Sequence, residues 1–129
     1  MIHYGFIKRL DIPYQTVIKP VREALKKEGF GVLTEADIDG IMKKKLGLDI
    51  RKFIILGVCN PTDAYESIHT KETAGSMLPL SLIVYEKGRK TVLSAILPMV
   101  ALQANDNAIL QKAADIVEGQ LKRTFAATK

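Results

Sequence analysis

Leu80, Leu82 and Val84 alternate with Ser81, Ile83 and Tyr85, and a second apolar run follows at 91–97 after Glu86-Lys87-Gly88-Arg89. Successive side chains of a strand face opposite sides, so this alternation predicts two strands. The short connection carries a glycine where positive φ is wanted, which predicts a hairpin. Parallel neighbours would need a crossover of about a dozen residues or more. Any sheet built on this pair is therefore at least partly antiparallel.

The remaining elements are read from the same periodicities. Ile2, Tyr4 and Phe6 alternate with His3, Gly5 and Ile7, predicting a half-buried first strand. Asp11 is placed to cap a helix with Pro13 in its first turn, a stripe of Tyr14, Val17, Ile18, Val21 and Leu25, and Gly29 as its stop. Pro20 either kinks this helix or begins its regular part, because an interior proline removes a hydrogen bond. A short strand is expected at 30–34. A second helix follows, capped by Thr34 or Asp37, with Ile38, Ile41, Met42 and Leu46 on one side and Gly47 at its end. The unbroken apolar run at 53–58 predicts a central strand covered on both faces. Asn60 as cap and Pro61 as first residue then open a helix over about 61–71. A last helix, capped within 105–107, carries Leu110, Ala113, Ala114, Val117, Leu121 and Phe125. The order β-α-β-α-β-α-β-β-α predicts an α+β fold, a mostly antiparallel sheet with helices packed on one face.

At 129 residues the chain is expected to form a single domain over 1–129. A composition of 47% hydrophobic and 26% charged residues is that of an ordinary globular protein. The lone Cys59 excludes a disulfide within one chain, and with no secretory leader in view it points to a cytoplasmic protein. No apolar run approaches the roughly 20 residues of a membrane-spanning helix, so no membrane association is expected. The net charge of +5 raises the question of nucleic acid. Yet Lys43-Lys44-Lys45 and Arg51-Lys52 are flanked by Asp37, Asp39 and Asp49, aromatics are sparse, and tryptophan is absent. A solvated face explains these lysines better than a nucleic-acid surface does.

Chemistry is nominated at one junction. Cys59-Asn60-Pro61 delivers a thiol to the mouth of a helix, where amide dipoles favour a thiolate or a small anion. The plainer reading is a cap, a first helical proline and a small buried hydrophobe. His3, His69 and Cys59 share no metal-ligand spacing, and Asp37-Ile38-Asp39-Gly40 lacks the other ligands of a calcium loop. No metal is expected and no cofactor is nominated. Ser67, Ser76, Ser81 and Ser94 lie in no nucleophile elbow. Glu35 and Asp37 fall at a strand-to-helix junction, where capping is the ordinary role. Gly29-Phe30-Gly31 lacks the third glycine of a dinucleotide fingerprint.

The segment from Gly29 to Glu35, with Leu56-Gly57-Val58-Cys59-Asn60-Pro61, Leu78-Pro79 and Ala95-Ile96-Leu97-Pro98, resembles the domain-of-unknown-function family 302. The ordered set covers nearly the whole chain. The resemblance implies a TATA-box-binding-protein-like α+β fold, often a homodimer in bacterial and archaeal cytosol, with no established activity. It does not import DNA binding, since function lives in sites rather than folds. Many members of that family read Leu-Pro-Cys where this chain reads Leu78-Pro79-Leu80, so a thiol pair within one subunit is ruled out here.

These readings lead to an expected small-ligand-binding domain with no demonstrated catalysis, its pocket bordered by Gly31, Glu35, Cys59, Asn60, Pro61, Leu78 and Pro79 at element ends. The rival expectations are a thiol enzyme or redox sensor using Cys59, which requires an exposed thiol, and a purely structural homodimer.

Overall fold

The computed structural model describes residues 5–70, 72, 80–96 and 108–128, and the structural statements below concern those residues. Its elements are β1 (Gly5–Leu10), α1 (Tyr14–Lys27), β2 (Gly31–Asp37), α2 (Ile38–Leu46), β3 (Phe53–Cys59), α3 (Pro61–Thr70), β4 (Leu80–Lys87), β5 (Lys90–Ile96) and α4 (Ala108–Ala127). The order matches the sequence expectation. All four neighbour pairings of the five-stranded sheet are antiparallel, in the order β1-β5-β4-β3-β2.

The hairpin is tighter than expected. Lys87 pairs with Lys90, leaving Gly88 and Arg89 as the connection. Gly88 takes φ 63° and Arg89 stays negative, the pattern of a type II′ turn whose twist suits the flanking strands. β1 and β2 lie at opposite edges, and α1, which joins them, crosses beneath the sheet and packs on β2, β4 and β5.

One face of the sheet carries the core. Leu10, Leu56, Val58, Leu80, Leu82, Val84, Leu93 and Ala95 meet Val17, Val21 and Leu25 of α1 and Val117, Leu121 and Phe125 of α4. Val17, Val21, Leu25, Val117, Leu121 and Phe125 are buried, as their helical spacing predicts. The Schellman geometry at the end of α1 explains its stop. Gly29 holds φ 85°, its amide donates to Lys26, and the Phe30 amide reaches Leu25.

Several expectations are corrected. Within the described residues β1 runs from Gly5 to Leu10, past the charged pair Lys8-Arg9, and Ile2 and Tyr4 of the expected strand lie outside those residues. Lys8 faces the helix layer because its ammonium donates to the Phe125 and Thr128 carbonyls. Asp11 does not cap α1; Pro13 occupies the N-cap position, and Thr16 bonds back to its carbonyl. The helix runs continuously through Pro20 from Tyr14. β2 extends to Asp37 with a register shift between Val32 and Thr34. Asp37, not Thr34, is the N-cap of α2, without a side-chain capping bond. No residue of α2 is buried, and Leu46 is 63% exposed, so its apolar stripe lies outside the core. Phe53, Ile54 and Ile55 are half-buried, so only the latter half of β3 is covered on both faces. His3, Leu78, Pro79, Leu97 and the caps at 105–107 lie outside the described residues.

Candidate functional site

The β3–α3 junction forms much as its residues dictate. The Thr62 amide donates to Asn60 Oδ1 at 3.1 Å, and the Ala64 amide to the Asn60 carbonyl at 2.8 Å, so Asn60 caps α3 and Pro61 begins it. Gly31 pairs with Cys59 across the edge of the sheet, and Gly29 lies against the Asn60 side chain. Gly31, Cys59, Asn60 and Pro61 are thus brought together. Glu35 is not: four residues along β2 it forms an ion pair with Arg22 of α1.

Cys59 is 6% exposed, and burial pushes its thiol above the ordinary range. A reactive cysteine needs the opposite, an accessible and electropositive setting. The Thr62 amide at the helix mouth already serves Asn60. One of the amides that the sequence suggested for a thiolate is therefore engaged by the cap, and burial sets the direction of the thiol. His69 is exposed and stacks on Tyr65 at 5.7 Å between ring centres. Among the described residues no three His, Cys, Asp or Glu side chains converge as metal ligands.

The strand-to-helix turn at the end of β2 gathers charge instead. Asp39 Oδ1 accepts the Phe53 amide at 2.9 Å, and Lys52 Nζ lies 3.5 Å from Oδ2. Burial alone would raise the Asp39 carboxyl, but the Phe53 amide, a bond with Asp37 and the Lys52 charge outweigh it and hold it low. Asp37 is raised, chiefly through that hydrogen bond with Asp39, then by desolvation and the Asp39 charge. The two carboxyls are thus pushed in opposite directions, Asp37 up and Asp39 down. Tyr14 is raised by burial first, then by Asp39, Asp37 and Glu86. The cluster fastens α2 to the start of β3.

A feature not read from the sequence lies on the sheet face opposite the core. Phe53 and Tyr85 are cross-strand partners and stack at 5.3 Å with their planes 10° apart. Both are half-buried. With Ile83, Ile50, Arg51 and Asp49 they line an open groove of about 740 Å³. Arg51 makes no ion pair among the described residues. The signal was present in part, since Ile50-Arg51-Lys52-Phe53 joins a cation to an aromatic. The partner across the sheet depends on the register of β3 with β4, which no local pattern reveals.

This arrangement defines an α+β protein with helices over one face of a five-stranded antiparallel sheet. Residues 6–128 match the family described as domain of unknown function DUF302, and the chain belongs to that family. It is similar over 99% of its length to the whole of a solved structure, the uncharacterized conserved protein DUF302 from Bacillus stearothermophilus, with 26% identity and a TM-score of 0.90. Among curated proteins none matches the chain.

Proposed function

We propose that the chain is a non-catalytic binding protein for a small amphipathic anion, held in the groove over Phe53 and Tyr85. The observation that carries this reading is the stacked, half-buried aromatic pair beside an Arg51 without an ion pair. Ligand sites are mostly apolar surfaces with a few polar groups that fix orientation. Here Ile50, Ile83 and the two rings would take an aliphatic or flat body, and the guanidinium would take its acidic end. Glu35 and Asn60 favour this site over the β3–α3 junction, because an ion pair and a helix cap already engage them. The buried, protonated thiol of Cys59 argues against the thiol-enzyme alternative.

The test is native mass spectrometry of protein purified without chelators, followed by titration with the aromatic sulfonate 1-anilinonaphthalene-8-sulfonate. A retained small acid, or saturable one-site fluorescence weakened about tenfold or more in Tyr85→Ala and Arg51→Gln, supports the reading. No retained molecule together with no saturable binding overturns it. The same spectra report subunit number and so test the homodimer expectation.

A further inference from the structure

Residues 43–52 are exposed throughout and interleave cations with aliphatic side chains. Leu46, Leu48 and Ile50 are 63%, 54% and 43% exposed, an unusual cost for a segment that turns sharply at Gly47 with φ 67°. The turn is a built one: the Gly47 amide donates to Lys43, the Leu48 amide to Met42, and Lys43 reaches Asp49 at 3.1 Å. That ion pair neutralises the only acidic residue of the segment, and Lys52 is engaged with Asp39. Lys44, Lys45 and Arg51 are left without ion pairs among the described residues.

We infer that this α2–β3 turn is a docking surface for an anionic lipid bilayer. Charge complementarity selects the partner. Three unengaged cations match a sheet of lipid phosphates, while aliphatic tips beside them enter the headgroup boundary and the long basic stems keep their charges at its surface. A second copy of the chain fits poorly, because a two-fold contact through this turn sets the same cations against one another. Single-stranded nucleic acid fits less well, since the exposed tips of the segment are aliphatic and the neighbouring rings of Phe53 and Tyr85 are half-buried and stacked on each other. The contact is peripheral: no helix among the described residues is long and apolar enough to cross a membrane. The surface shares Ile50 and Arg51 with the groove, but Lys44, Lys45, Leu46 and Leu48 lie outside its lining, so variants at these four test the turn alone.

The experiment is co-sedimentation of the full chain with phosphatidylglycerol-containing vesicles and with phosphatidylcholine vesicles, at low and high salt. Binding is expected to the anionic vesicles alone and to fall as salt rises. The double variant K44Q/K45Q lowers partitioning on the order of 20-fold, and L46S/L48S lowers it about tenfold. These side chains are exposed, so both variants keep their thermal midpoints, while Tyr85→Ala leaves vesicle binding unchanged. No binding to anionic vesicles, binding indifferent to both double variants, or a stronger preference for a single-stranded RNA oligomer overturns the inference. So does sedimentation velocity in which L46S/L48S converts a dimer to a monomer.

Discussion

The ammonium of Lys8 donates to the main-chain carbonyl of Phe125 at 2.6 Å, and to that of Thr128 at 2.7 Å, tying the first strand to the end of the last helix. Carbonyls in the final turn of a helix have no partner within it, and a positive charge there also opposes the helix dipole. Lys8→Met keeps the aliphatic stem and removes the donors. It is expected to cost about 1–2 kcal/mol, read as a lower urea midpoint with unchanged slope. An unchanged midpoint would show that these bonds add no stability.

Gly29 and Gly31 offer a contrast two residues apart. At Gly29, φ is 85° and a Cβ would lie 3.0 Å from Asn60 Nδ2. Gly29→Ala is expected to cost about 1–2 kcal/mol and to disturb the cap of α3. At Gly31 a Cβ would meet the Cys59 carbonyl at an ordinary 3.8 Å, with no positive φ. Gly31→Ala should stay within about 0.5 kcal/mol of the parent. Equal thermal shifts for the two variants would contradict this account.

The Asp37–Asp39 pair gives opposite pH signatures. Asp39 is held low, so its contribution is present above the unfolded carboxylate value of about 4 and is lost as pH falls through the lower folded value. Asp37 is held high, so its contribution is present below that unfolded value and is lost as pH rises through the higher folded one. Asp37→Asn, which can still donate to Asp39, is therefore expected to raise stability above both values. Asp39→Ala is expected to lower it there, since the Phe53 amide loses its acceptor. Urea midpoints collected from pH 3 to 7, with carboxyl shifts followed by NMR, decide the matter. Parallel midpoint curves for the two variants would refute the pairing.

Cys59 should resist alkylation in the native state. Burial raises its thiol, so iodoacetamide is expected to react at least about 100-fold more slowly than with a free cysteine peptide. The rate should recover in urea. Rapid native modification would reopen the thiol-enzyme reading.

What was legible in the sequence was what is local. The β4–β5 hairpin and the Val117, Leu121 and Phe125 stripe declare themselves within a few residues, and Asn60-Pro61 is a cap and a start together. Errors arose where a distant partner sets the role. The local pattern carries the first strand no further than Ile7, because the carbonyls that draw Lys8 inward belong to Phe125 of α4 and to Thr128 just beyond it. Ile41 and Leu46 looked like core because their spacing is helical, yet α2 sits at the margin of the sheet. Glu35 looked available until α1 brought Arg22 to it. The groove was the least legible, because Phe53 and Tyr85 become neighbours only when β3 and β4 take their register.

The bonds from Lys8 also bear on how the chain is completed during synthesis. β1 is made before its sheet neighbour β5, and the carbonyls that hold its lysine follow 117 and 120 residues after Lys8. Until β5 emerges the first strand waits with its pairing edge open; the β4–β5 hairpin, built from adjacent residues, then forms on its own. A polypeptide halted before β5 therefore exposes an unclaimed strand, and one halted before α4 leaves a sheet face without half of its cover. Such a truncated product would be a natural substrate for chaperones or proteases, and the finished protein would not.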